Sequence, residues 1–73
     1  SNEPTLSGKR LIKILAQLGF EAVRVKGSHH FLRHADGRST VIPVHSNEDI
    51  GKGLFRKILK DCELSWDDIN DLV

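Results

Sequence analysis

The 73-residue sequence has a single cysteine, no methionine or tyrosine, and no long apolar run. The one cysteine, Cys62, excludes an intramolecular disulfide and a Cys-rich zinc module. The apolar runs are only a few residues long, whereas a membrane-spanning helix needs about 20 apolar residues. Because the sequence also shows no hydrophobic signal segment, we expect a cytoplasmic protein that does not span a membrane.

The small size of the chain limits the kind of site that it can build. A domain of this size buries only about 60% of the surface that its unfolded chain exposes. We therefore expect one thin core and a shallow active site on the surface, without a deep enclosed pocket. A shallow site favours a large, extended partner, such as a nucleic acid or another protein, over a small metabolite.

The charges are distributed unevenly along the chain. The net charge of +1 combines +6 over residues 1–60, which hold all 11 Lys and Arg, with −5 over residues 61–73. A basic body is typical of a protein that binds a polyanion. A solvated surface with an acidic end is the alternative, and charge alone leaves both interpretations open.

A first helix is predicted between Ser7, which suits the N-cap, and Gly19, which suits the position after a helix. Apolar residues repeat between them at the spacing of one helical face, at Leu11, Ile14, Leu15 and Leu18. Residues 1–6 carry no pattern, and we expect them to be disordered or derived from a tag. A single domain is predicted over residues 7–73.

Three strand-like runs follow, over residues 20–26, 29–34 and 39–44. Gly27-Ser28 and Asp36-Gly37 are the predicted turns, and Pro43 should lie near a strand end or on an edge. Alternation in the first run predicts one face with Ala22, Arg24 and Lys26 and another with Glu21, Val23 and Val25. In the second run it separates His29, Phe31 and Arg33 from His30, Leu32 and His34, and we expect Phe31 to face the core.

A second helix is predicted at about residues 51–61, with an apolar face of Leu54, Ile58, Leu59 and Cys62 and with Phe55 at its flank. Residues 65–68 resemble a capping box and should begin a short terminal helix whose inner side carries Ile69, Leu72 and Val73. The order α-β-β-β-α, with a short C-terminal helix, predicts an α+β two-layer sandwich. Double-stranded-RNA-binding domains have this order of elements, but fold alone does not decide function.

Residues able to do chemistry cluster at Lys26-Gly27-Ser28-His29-His30. Cleavage of RNA without a metal requires that a proton leave the attacking 2′-hydroxyl and that another reach the departing 5′-oxygen. Histidine suits both transfers because its ordinary pKa of about 6.5 lies near working pH. Gly27 permits a left-handed turn and close approach of a sugar-phosphate backbone, and Ser28 adds a hydroxyl. His29 and His30 should point to opposite strand faces, and alternation alone does not assign the catalytic face.

Metal and thiol chemistry are the alternatives for these residues. His30 and His34 share a strand face but lie roughly 13 Å apart along it, too far to share a zinc ion. No carboxylate pair or Cys-His pattern supplies further ligands. Cys62 falls in the apolar stripe of the second helix, as a small core residue does. We therefore predict no metal ion and no cofactor.

Four blocks of the sequence resemble the HicA family of type II toxins. They are Val25–His30 (VKGSHH), Arg33–Arg38 (RHADGR), Ile42–His45 (IPVH) and Ile50–Leu59 (IGKGLFRKIL). The similarity extends over nearly everything from residue 11 to residue 64. It implies the fold of a double-stranded-RNA-binding domain, a ribosome-independent endonuclease activity on mRNA, and a HicB-type antitoxin that covers the active face.

The resemblance also implies roles for single residues. The catalytic histidine of the family follows Gly-Ser and corresponds to His29, and a supporting glycine corresponds to Gly27. Ser28 belongs to the same turn, and His30 and His45 are candidates for a second proton-transfer group or a phosphate ligand, between which the motif does not decide. The candidate contacts to the RNA backbone are basic: Lys26, Arg33, Arg38, Lys52, Arg56 and Lys57.

Two functions without catalysis are the rivals. A binding module of the same fold would grip double-stranded RNA by its shape, and the basic residues around Lys52 and Arg56 partly resemble the helix that does so. A protein-interaction domain would use its basic body only to dock an acidic partner. The intact Gly27-Ser28-His29 turn favours the nuclease, whose antitoxin should present acidic groups to the basic surface.

Overall fold

A computed structural model describes residues 5–73 as a layer of helices against a three-stranded sheet. The helices are α1 (Gly8–Gln17), α2 (Lys52–Asp61) and α3 (Trp66–Ile69), which continues as a 3-10 turn over Asn70–Leu72; the strands are β1 (Phe20–Lys26), β2 (His29–His34) and β3 (Ser39–Pro43). This confirms the predicted α+β fold, which is arranged as in double-stranded-RNA-binding domains. No helix within residues 5–73 is long and apolar enough to cross a membrane.

Helix α1 has the boundaries that the sequence predicts. The Ser7 hydroxyl accepts a hydrogen bond of 3.1 Å from the Arg10 N–H and so caps the helix. Gly19, with φ of 96°, follows the last turn in the left-handed region that favours glycine. Three of the four residues of the predicted apolar face, Leu11, Ile14 and Leu15, are fully buried against the sheet.

The N-terminal boundary differs from the prediction. Residues 1–4 lie outside the described residues, but Leu6 is only 7% exposed and belongs to the core. The Leu6 carbonyl accepts a hydrogen bond of 2.7 Å from the Ile50 N–H, and Ser7 forms an isolated β-bridge with Asp49. The expectation of disorder is therefore wrong for Leu6, because the loop before α2 runs antiparallel beside this segment and supplies its backbone partners.

The strands form an antiparallel sheet in the order β1-β2-β3. Gly27 and Gly37 take positive φ values of 59° and 102° in the two connecting turns, as Gly-Ser and Asp-Gly predict. Pro43 is the last residue of β3, which is an edge strand. Its lack of an N–H donor is tolerated there, as predicted.

A β-bulge in β1 changes the predicted faces. The register with β2 shifts between Ala22 and Arg24, so that Ala22 pairs with Leu32 whereas Arg24 pairs with Phe31. One extra residue on a strand reverses the alternation beyond it. Ala22 therefore does not share a face with Arg24 and Lys26, and that prediction is wrong.

The core-facing residue of β2 is Leu32 and not Phe31. Leu32 is 1% exposed and lies on the sheet face that the helices cover, whereas Phe31 is half-buried on the other face. The prediction for Phe31 is wrong because the covering helices, not the size of the side chain, determine which face is buried. We call the uncovered side the open face; it carries Glu21, Arg24, Lys26, His29, Phe31, Arg33 and Val41.

The buried side of α2 is centred on Phe55. Phe55 is 2% exposed and Leu54 is 38% exposed, so the predicted core position of Leu54 is wrong. The Phe55 ring packs edge-on against Trp66, with 6.3 Å between the ring centroids, and this contact with α3 orients the helix. The other predicted residues of the apolar face, Ile58, Leu59 and Cys62, are buried.

The terminal helix begins at the predicted capping box. The Ser65 N–H donates to the Asp68 carboxylate at 2.7 Å, and the reciprocal bond to the Ser65 side chain is also present. Ile69 is buried and Leu72 half-buried, whereas Val73 is 39% exposed. The predicted inward position of Val73 is wrong because the chain tightens into a 3-10 turn after Ile69, which changes the angular positions that follow.

Candidate nucleic-acid interface

His29 begins β2 at one end of the sheet and has an exposed side chain. Its cross-strand neighbours are Lys26 of β1 and Pro43 of β3. Within residues 5–73 the imidazole has no hydrogen bond or ion pair to another side chain or to the backbone. A backbone held between two strands and a ring open to solvent are what a proton-transfer group at a surface site requires.

The turn before His29 leaves space for an approaching chain. Gly27 has φ of 59°, and apart from its two chain neighbours no described residue has a heavy atom within 4 Å of the position that a Cβ would take there. Ser28 is half-buried, and its carbonyl accepts a hydrogen bond of 2.8 Å from the Val44 N–H. The turn is therefore open on its outer side and anchored to the end of β3 on its inner side.

The same anchor brings His45 to this end of the sheet. His45 follows Val44 directly and is exposed. The chain then folds back, since the Glu48 N–H donates to the His45 carbonyl at 2.9 Å and Ser46 takes a positive φ of 48°. His29 and His45 thus lie at the same end of the sheet, although they are 16 positions apart in the sequence.

His30 points away from this group. It pairs with Val25 and Ile42 on the face that the helices cover, and it is half-buried. Its Nδ1 lies 3.3 Å from the Ser28 carbonyl oxygen, which fixes the ring against the turn from the inside. Of the two candidates for an assisting group, the structure brings His45 and not His30 to the exposed end.

Arg38 is held within the fold. Its Nε donates to both carboxylate oxygens of Asp36, at 3.1 and 2.9 Å, and its Nη1 donates to the Cys62 carbonyl at 2.6 Å. The hydrogen bond from Arg38 holds the pKa of the Asp36 carboxyl below its ordinary value, and the same contact raises the pKa of Arg38. The bond to Cys62 joins the β2–β3 hairpin to the end of α2, and the guanidinium also lies 5.0 Å from the ring centroid of Phe20 in β1. These contacts give Arg38 a structural role, and its contact with RNA stays a prediction.

The other predicted basic contacts fall into two groups. Lys26 and Arg33 lie on the open face with His29. The second group lies on the exposed side of α2, in the helix layer, and consists of Lys52, Arg56 and Lys57. Lys57 is paired with Asp61 at 3.1 Å. The structure therefore does not bring the six predicted residues into one surface.

Sequence reasoning missed Arg24. Its guanidinium lies on the open face, 5.6 Å from the ring centroid of Phe31, and presents a cation beside Lys26 and Arg33. Such a stacked pair offers both a charge and a flat apolar surface, which suit phosphate and base contacts respectively. The available signal was the shared parity of Arg24 and Lys26 in the first strand-like run.

Metal and thiol sites find no support among the described residues. Within residues 5–73 no three His, Cys, Asp or Glu side chains are grouped so as to hold a metal ion. Burial, and secondarily the carboxylate of Asp61, raises the pKa of the Cys62 thiol to about 11. Cys62 is fully buried, which confirms that it is a core residue; the raised pKa keeps the thiol protonated at neutral pH.

The fold and this surface define a class of protein, a small α+β domain with a basic open sheet face that ends at an exposed histidine. Residues 8–64 match the family model described as the HicA toxin of bacterial toxin-antitoxin systems. The chain therefore belongs to the HicA toxin family, as its four sequence blocks indicate. A search of curated proteins found no match to this chain.

Proposed function

We propose that this toxin is a metal-independent endoribonuclease that cleaves mRNA, with His29 as its general acid or base. The observation that carries the proposal is the exposed His29 ring, held by two strands beside the open Gly27-Ser28 turn and beside Lys26. The family match supports a toxin role. We propose the cytoplasm as the site of this activity, because mRNA is translated there. RNA, being long and flexible, suits a shallow surface of this kind.

The proposed reaction is in-line attack of a 2′-hydroxyl on the adjacent phosphate. The 2′-oxygen forms a bond to phosphorus as its proton passes to a base, and the bond to the 5′-oxygen breaks as that oxygen takes a proton from an acid. The products are a 2′,3′-cyclic phosphate and a 5′-hydroxyl. Lys26, across the strand pair from His29, offsets the negative charge that develops on the phosphate.

We assign the second proton transfer to His45. It leaves the fold at the same end as His29 through the Val44–Ser28 hydrogen bond, whereas His30 lies on the covered face. Two histidines that share a phosphate can act in turn, one as base and the other as acid. Gly27 and Ser28 provide the open turn over which the sugar-phosphate backbone would pass.

The experiment that tests this function is incubation of the purified protein with a long RNA in EDTA. We expect cleavage that leaves 2′,3′-cyclic phosphate ends, and none of a DNA or 2′-O-methyl RNA of the same sequence, because both lack the attacking hydroxyl. Cleavage that stops on chelation would contradict the metal-free mechanism. Binding of double-stranded RNA without any cleavage would instead support the rival binding module.

We further propose that the antitoxin is of the HicB type and covers the open face with acidic groups. Among the residues paired between β1 and β2, the open face carries three cations, Arg24, Lys26 and Arg33, and one carboxylate, Glu21. Exposed ion pairs weaken as salt screens them, so the affinity of the complex should fall as salt rises from about 0.05 to 0.5 M. Calorimetric titration at several salt concentrations in this range measures the affinity. An affinity independent of salt would contradict the acidic interface.

A further inference from the structure

An open groove of about 410 Å³ lies beside α1 in the helix layer. It is lined mainly by residues of α1, together with one residue of the loop before α2 and one of the C-terminal 3-10 turn. The polar and basic residues that line it are Ser7, Lys9, Arg10, Lys13, Gln17 and Asn47, and the apolar ones are Ile14 and Leu72. None of the predicted contacts to RNA lies in this groove.

The groove carries three positive charges and no negative one. Lys9, Arg10 and Lys13 are exposed, and α1 contains no acidic residue. Within residues 5–73 none of the three forms an ion pair, and no carboxylate lines the groove. Unpaired cations that converge on a concave surface favour a polyanionic ligand.

The acidic C-terminal segment borders the groove but contributes no carboxylate to its lining. This segment enters the lining only through Leu72, which is apolar. Asp68, in the first turn of the terminal helix, is turned back onto Ser65 in the capping box. The segment therefore supplies a wall, and it lies beyond residue 64, where the match to the family ends.

The groove opens at the end of the molecule where His29 lies. Gly8, in the first turn of α1, lies directly against the carbonyl of Pro43, and Pro43 is the cross-strand neighbour of His29. Asn47 belongs to the same tight turn as His45. An RNA strand that leaves the His29 site past His45 therefore meets Asn47 and then the basic side chains of α1.

We propose that this groove is a second RNA subsite, which binds the phosphate backbone of the strand beyond the scissile phosphate. This inference rests on the proposed function for the identity of the ligand as RNA. The groove sets affinity through Lys9, Arg10 and Lys13, while His29 performs proton transfer. Lysine is depleted from the cores of protein–protein interfaces, so a groove with two lysines at its centre fits a nucleic acid better than a protein partner.

The test measures binding of a 20-nucleotide 2′-O-methyl RNA, which keeps the phosphates but cannot be cut by attack of its own 2′-oxygen. The triple variant Lys9→Gln/Arg10→Gln/Lys13→Gln is compared with the wild type at several salt concentrations. Each lost phosphate contact lowers the slope of log K against log salt by about 0.7 for a single strand. Three contacts correspond to a slope smaller by about 2 and to an affinity about 100-fold weaker at 0.1 M salt.

A matched pair of single variants separates a local site from a general effect of charge. Lys13→Gln and Lys60→Gln each remove one charge from the exposed side of a helix, and Lys60 lies on α2 outside the groove. We expect about fivefold weaker binding for the first, from one lost contact at 0.1 M salt, and less than twofold for the second. Equal losses in the two would overturn the subsite, as would unchanged RNA binding by a folded triple variant that no longer binds the antitoxin.

Cleavage kinetics distinguish failure of this inference from failure of the proposed function. With a cleavable RNA, the triple variant should show a KM raised at least tenfold and a kcat within twofold of the wild type. A protein that cuts no RNA, yet loses binding of the 2′-O-methyl RNA in the triple variant alone, would overturn the nuclease and support the subsite. A triple variant that cuts and binds as the wild type does would overturn the subsite and leave the nuclease standing.

Discussion

Replacement of His29 by alanine is expected to lower the rate of RNA cleavage by 10²- to 10⁴-fold, the range typical of a lost general acid or base. The side chain is exposed and contacts no other described side chain through a hydrogen bond, so its removal should leave the fold intact. Single-turnover cleavage at saturating protein measures the effect, since it separates the chemical step from binding. His29→Gln should lose as much activity as His29→Ala, because an amide forms hydrogen bonds but does not transfer a proton near pH 7.

The neighbouring histidine supplies the matched control. His30→Asn keeps a donor near the Ser28 carbonyl on the covered face and should lower the single-turnover rate less than threefold. His45→Ala should lower it by at least tenfold, because His45 lies at the exposed end with His29. Equal activity of wild type and His29→Ala would point to a contaminating nuclease or to another histidine, and an inactive His30→Asn beside an active His45→Ala would reverse the assignment of the second group.

Replacement of Gly8 by alanine is expected to destabilise the protein by about 2 kcal/mol, as a forced contact in a packed interior does. A Cβ on Gly8 would overlap the carbonyl oxygen of Pro43, which is backbone and cannot turn aside as a flexible side chain would. Helix α1 would have to move away from the end of β3. For a domain of this size the loss corresponds to a melting temperature lower by about 8–16 °C, measurable by thermal denaturation.

Gly53→Ala is the control for this prediction. Gly53 also lies in the first turn of a helix, α2, but within residues 5–73 no heavy atom beyond its chain neighbours and the nearby helix backbone lies within 4 Å of the position of its missing Cβ. Alanine there should stabilise the protein by about 0.5–1 kcal/mol, because glycine loses more conformational entropy in a helix. Opposite signs at the two glycines would establish that the Gly8–Pro43 contact is tight; stabilisation at both would contradict it.

Local signals in the sequence predicted the elements that depend on near neighbours. Ser7 and Gly19 mark the ends of α1 because a capping hydroxyl and a left-handed glycine act within four residues of the helix end. The turns at Gly27 and Gly37 followed from the same local chemistry. The terminal helix was predicted from its capping box alone, and its Ser65–Asp68 bonds are present.

Predictions of which side chains face the core or share a strand face were wrong where the answer depended on a neighbouring helix or strand. Alternation grouped Ala22 with Arg24, but a bulge that only the pairing with β2 reveals separates them. Phe31 and Leu32 are both apolar, so the sequence alone does not show which of them is buried. The helices pack on the sheet face that carries Leu32. Leu54 and Phe55 are likewise adjacent on α2, and the contact of Phe55 with Trp66 selects the buried one.

Some features of the candidate site could likewise be predicted from the sequence, and others could not. The residue types at the site, the open Gly27-Ser28 turn before His29 and the family to which the chain belongs could be identified from sequence, because they reside in short contiguous motifs. Sequence could not show that His45 and not His30 lies at the exposed end with His29, nor that Arg38 is held within the fold. Arg38 carries the same charge as Lys26, and only its bonds to Asp36 and Cys62 reveal its structural role.

By itself, then, the sequence determined the order of elements, the caps and turns that bound them, and the histidine motif, since all of these depend on interactions within a few residues. Only the tertiary structure decided which sheet face stays open, that His45 joins His29 through the Val44–Ser28 hydrogen bond, and that a basic groove on α1 opens at the same end. The physical reason is that these features depend on contacts between segments distant in the chain, and the packing of helices on the sheet fixes those contacts.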